Sequence, residues 1–105
     1  MKTVQLSKMR ALQTEFRYAG SFSSFNWTLF TAKEVREMGI RDPACPVLRG
    51  DMGPFRIEID ADGGTTLGFQ GNTDTDIEPL NMSRPANTIY GELYFKIHAL
   101  NPVRS

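Results

Sequence analysis

From residue 56 onward apolar and polar positions alternate. Arg56-Ile57-Glu58-Ile59-Asp60-Ala61 does so without a fault, the period of a strand with one buried face. Leu67 and Phe69 resume the pattern after Asp62-Gly63-Gly64, so an antiparallel hairpin is expected. Residues directly opposite one another share a face. Keeping the isoleucines with Leu67 and Phe69 sets Ile57 opposite Phe69. That leaves Asp62-Gly63-Gly64 as the loop, with Gly64 in the left-handed conformation. A two-residue loop would put Glu58 on the face of Phe69. The segment 89–98 reads as a longer strand, with Ile89, Leu93, Phe95 and Ile97 on one side. Tyr90, Glu92, Tyr94, Lys96 and His98 fall on the other, wet side. Asn101-Pro102 ends it.

The first half carries weaker patterns. Met9, Leu12, Phe16 and Ala19 fall at helical spacing behind a possible Ser7 cap. Leu12, Thr14, Phe16 and Tyr18 also alternate, and Phe25, Trp27 and Leu29 follow after Gly20. The aromatic and Thr content favours the second pattern, a hairpin with its loop near Gly20 to Ser24. Thr31-Ala32-Lys33-Glu34 is a capping box opening a short helix with Val35 and Met38 as its stripe. Gly39 is placed to end that helix. Arg41 to Pro54, punctuated by Pro43, Pro46, Gly50, Gly53 and Pro54, reads as a loop. Together these elements predict a single α+β domain over residues 1–105, an antiparallel sheet of four to six strands with one or two short helices.

Composition narrows the function classes. One Cys and one His among 105 residues exclude an internal disulfide and every Cys/His-rich zinc module. No apolar run approaches the ~18–20 residues of a membrane span, and the first twenty residues show no apolar block of the signal-peptide kind. A cytoplasmic protein is the expectation. Twelve basic and twelve acidic side chains cancel, but unevenly. Residues 1–50 hold eight basic against four acidic, and residues 51–105 the reverse. Glu58 to Glu78 contains six carboxylates and no Lys or Arg. Such asymmetry is a statement about partners rather than fold.

Those carboxylates are the candidate site: Glu58, Asp60 and Asp62, then Asp74, Asp76 and Glu78, each trio spaced by two and so on one face of an extended segment. Three readings compete. Arg10, Arg17, Arg56 or Arg84 can lie across them, the acids keeping a sheet edge soluble. Carboxylates ~6.6–6.8 Å apart along a strand can imitate a phosphate row and enter a basic groove built for nucleic acid. Asp60-Ala61-Asp62-Gly63-Gly64 also resembles the start of a calcium loop. That likeness fails at Thr65, where Gly is needed, and at Gly71, where Glu belongs.

Other constellations are weaker. Cys45 and His98 are the one possible Cys–His pair, but nothing near Cys45 activates a thiol. Asp60 and Asp76 could act as general acid and base, but a sheet domain of this size has little room for a pocket. A phosphate loop, a dinucleotide fingerprint and a nucleophile elbow are all missing from the chain, so no catalytic residues and no cofactor or metal are assigned. Phe22, Phe25, Trp27 and Phe30 beside Arg17 and Lys33 can stack on single-stranded nucleic acid, yet read better as core. The absence of a basic excess also argues against direct nucleic-acid binding. Tyr90 and Tyr94, on the wet face of the expected last strand, are candidate interface anchors. Arg49-Gly50-Asp51, Asn26-Trp27-Thr28 and Asn81-Met82-Ser83 match extracellular motifs and read as coincidence.

The expected function is therefore a non-catalytic protein-binding module, a small inhibitor whose acidic strand face occupies the nucleic-acid-binding groove of its target. Phage and mobile-element inhibitors, anti-CRISPR proteins among them, share this size and lack of motifs, a likeness of class alone. The alternative is an assembly subunit that self-associates through a sheet edge and the exposed tyrosines.

Overall fold

The computed structural model describes residues 5–18, 20–42, 45–69 and 75–100. Helix α1 (Gln5–Tyr18) leads through a short 3₁₀ turn into β1 (Asn26–Leu29). Helix α2 (Ala32–Arg41) follows, then β2 (Pro46–Met52), β3 (Phe55–Asp60), β4 (Thr65–Phe69), β5 (Thr75–Ile77) and α3 (Ala86–Leu100). The strands form one five-stranded antiparallel sheet in chain order. The domain is α+β, with three helices rather than one or two among the described residues.

Two helices occupy segments where strands are expected. In the last segment Ile89, Leu93 and Ile97 satisfy both periods, being four apart and also on one side of a strand. Phe95 separates the two, since a strand would bury it with the isoleucines. It is 72% exposed, and the chain is helical. The same ambiguity misleads at the start, where Met9, Leu12 and Phe16 are fully buried while Tyr18, a core position on the hairpin pattern, is 77% exposed. Ala19, part of the helical reading, lies outside the described residues.

The capping box is present as expected. Glu34 N–H donates to the Thr31 hydroxyl, and Thr31 N–H donates to the Glu34 carboxylate. Gly39 does not end α2; the helix continues to Arg41 and closes at Asp42, whose N–H donates to Met38 O. Nor is 41–54 a loop. Pro46 takes the first place of β2, where a missing donor is tolerated, and Gly53-Pro54 makes the tight link between Met52 and Phe55. Gly53 there has φ +58°. Pro43 and Ala44 lie outside the described residues. A bulge at Val47 lets Val47 and Leu48 both be buried.

The β3–β4 hairpin keeps the expected faces but turns one residue earlier. Ile57 faces Leu67 and Ile59 faces Thr65, so the loop is Ala61-Asp62-Gly63 and the positive φ (+90°) falls on Gly63. Asp60 decides this. Its Oδ1 accepts the amides of Asp62 and Gly64 at 2.8 and 2.9 Å, which pins the turn behind it.

The core lies on one side of the sheet. Trp27, Leu48, Ile57 and Ile59 meet Met9, Leu12 and Phe16 of α1 and Ile89 and Leu93 of α3. Aromatic rings knit the two helices to β1: Trp27 stacks on Phe16 at 4.5 Å, and Tyr90 meets Phe22 edge-on at 5.3 Å. The Trp27 indole N–H donates to Phe22 O. Core, not nucleic-acid stacking, is where Phe22 and Trp27 belong.

Candidate functional site

The other side of the sheet is polar. Strand register places Thr28, Arg49, Glu58, Thr66 and Asp76 in one row across all five strands. None of the five is buried. Asp60, two residues beyond Glu58, joins this face, and so do Asp51 and Arg56 from the other end. Glu58 and Asp76 stand two strand spacings apart, ~9.5 Å, with the Thr66 hydroxyl between them and bonded to Asp76 at 3.2 Å. Glu58, Asp60, Thr66 and Asp76 line a cleft of about 390 Å³ at the β3–β5 end. The two acidic trios thus meet on one face through these three carboxylates.

The remaining members fall elsewhere. Asp62 is exposed at the tip of the turn. Glu78 lies beyond β5 and is drawn to α3, where Lys96 Nζ holds it at 3.2 Å and also approaches Glu92 at 3.8 Å. Asp74 lies outside the described residues. Asp60 does two jobs, since it lines the cleft and its Oδ1 also fastens the turn.

Of the arginines that the structural reading lays across the acids, Arg56 goes elsewhere. Arg56 pairs with Asp51 at 3.2 Å rather than with the trio. Arg49 is the basic member of the row. Its Nε is 3.4 Å from Asp51 and its Nη1 4.0 Å from Glu58, while the guanidinium lies over the Phe30 ring. Its Nε is buried without a hydrogen bond. Among the described residues the row is therefore charge-mixed where Arg49 meets Glu58, and the charged side chain beyond Thr66 is the carboxylate of Asp76. Sequence spacing found the acids but not Arg49, because Arg49 sits in a stretch read as loop.

Tyr90 and Tyr94 are not on a wet strand face. On α3 they turn toward the aromatic core, Tyr90 against Phe16 and Phe22 and Tyr94 toward Phe22. The premise that made them interface anchors is gone. Cys45 is buried at the head of β2 with its Sγ against Val35 O. Burial, with Asp42 and Asp60 nearby, pushes its thiol up in pKa, the opposite of an activated nucleophile. His98 makes its contacts with Tyr94, ring on ring at 4.1 Å. Among the described residues no group of three or more His, Cys, Asp or Glu side chains is arranged to hold a metal ion. Nor is any helix among them long and apolar enough to cross a membrane.

A second feature was invisible in the sequence. On the helix side, Phe55, Phe69 and Leu67 line an open apolar groove of about 370 Å³ with Phe22, Ile97 and Thr75. Phe55 and Phe69 touch edge-on at 4.8 Å and remain 48% and 43% exposed. The chain matches no protein-family model, no curated protein and no solved structure, so function rests on this geometry.

Proposed function

We propose that the protein is a non-catalytic binding module, a small inhibitor whose acidic sheet face occupies a basic, nucleic-acid-binding groove of its target. The supporting observation is the convergence of Glu58, Asp60 and Asp76 on one sheet face, none of them buried, with Asp62 at the tip of the adjoining turn. Carboxylates held on two strands of one sheet, β3 and β5, lose less entropy on binding than ones carried on a loop. Their spacing suits Lys and Arg side chains that otherwise neutralise phosphates. The partner is thus a protein with a cationic groove, met in the cytoplasm, without direct nucleic-acid contact and without a cofactor.

The test is capture from nuclease-treated host lysate by wild type and by a Glu58→Gln/Asp62→Asn/Asp76→Asn variant. Asp60 is spared because the turn needs it. The reading expects a nucleic-acid-handling protein retained by wild type alone and released by added oligonucleotide. Capture undiminished in the variant, or indifferent to oligonucleotide, would overturn it.

A further inference from the structure

We propose that the partner docks at the free edge of β5 as an added strand, an extended segment that alternates basic and apolar side chains. This rests on the acidic-face reading and specifies the form of what binds there. Among the described residues no strand pairs with the far side of β5. The other edge differs: α1 packs beside β1, and Gln13 donates its side-chain amide to Trp27 O at 3.3 Å. An unpaired edge next to pockets is the geometry of strand addition, main-chain bonds giving affinity and alternate side chains specificity.

The two faces of the β5 edge set the alternation. On the outer face Asp76 lines the acidic cleft with Glu58. On the inner face Thr75 lines the apolar groove with Leu67 and Phe69. Successive side chains of an added strand point to opposite faces, so one set meets carboxylates while the other enters the groove. Charge disfavours a second copy of this chain as the occupant. Pairing β5 with β5 antiparallel about its centre, faces matched, sets Asp76 opposite Asp76, and like charges directly opposite destabilise a sheet. A basic segment removes that repulsion.

The probe is a labelled synthetic peptide alternating lysine and valine, compared by fluorescence anisotropy with a peptide of the same composition whose lysines form one block. The alternating peptide is expected to bind about tenfold tighter. Asp76→Lys on one face and Phe69→Ser on the other, both at exposed positions, are each expected to weaken it to a similar degree. In wild type, amide exchange at Thr75–Ile77 slows on binding. Equal affinity for the two peptides, no binding of either, or no added amide protection would overturn the proposal. Loss with Asp76→Lys but not with Phe69→Ser would also overturn it, leaving carboxylate attraction without strand addition. That last result keeps the acidic-face reading, which fails separately, by undiminished capture in its own triple variant.

Discussion

Trp27 lies flat on the backbone of Gly50, its partner across β1 and β2. A Cβ built on Gly50 would stand 2.8 Å from the indole ring, closer than packed carbon atoms approach. The ring is held there from above by Phe16 and from its edge by the Phe22 carbonyl, so it has nowhere to retreat.

Gly50→Ala is therefore expected to destabilise the fold by about 1–3 kcal/mol, the cost of overpacking a filled core. Gly39→Ala is the contrast. Gly39 lies inside α2 with nothing within 4 Å of an added Cβ. There alanine is expected to stabilise by roughly 0.5–1 kcal/mol. Urea denaturation of both variants checks the pair.

Asp60 separates turn-making from binding. Asp60→Ala removes the acceptor of two backbone amides and is expected to cost about 1–3 kcal/mol. Asp60→Asn retains an acceptor oxygen and is expected to lose less than half of that. If the two variants unfold at the same urea concentration, the side-chain oxygen is not what holds the turn.

Arg49 opposes the proposed partner. Its Nη1 lies 4.0 Å from Glu58 and its side chain is 35% exposed, and the ion pairs of such a part-exposed group contribute at most about 1 kcal/mol to stability. Arg49→Gln is expected to leave the fold intact and to raise affinity for a cationic partner several-fold. The gain should come through faster association and a steeper dependence on salt. Stopped-flow association at two ionic strengths measures both, and slower association in the variant would count against the acidic face.

Cys45 links stability to pH. Burial, helped by Asp42 and Asp60, raises its pKa in the folded protein. The unfolded chain therefore releases the proton first as pH rises. Stability from this group is complete below the ordinary thiol pKa of about 8.5 and declines above it until the folded-state pKa is passed. Cys45→Ala is expected to flatten that alkaline limb of the urea-midpoint profile. In the native protein iodoacetamide should alkylate Cys45 only as fast as the chain opens.

The sequence by itself determined the features that rest on local chemistry. The α2 cap follows from Thr31 and Glu34, which find each other three residues apart whatever surrounds them. The faces of β3 and β4 follow from strict alternation, because a slip of one residue would expose Ile57 and Ile59 together. The acidic face follows from the same alternation, since isoleucines that claim the core send Glu58 and Asp60 outward. Tertiary structure decided the rest. Ile89, Leu93 and Ile97 fit a strand or a helix equally well; only packing against Phe16 and Phe22, which leaves Phe95 in solvent, selects α3. Gly50 reads as a loop residue until Trp27 is seen to need its bare backbone. The meeting of Glu58 with Asp76 depends on β4 lying between them, a pairing made by main-chain hydrogen bonds that no side-chain pattern within either segment specifies.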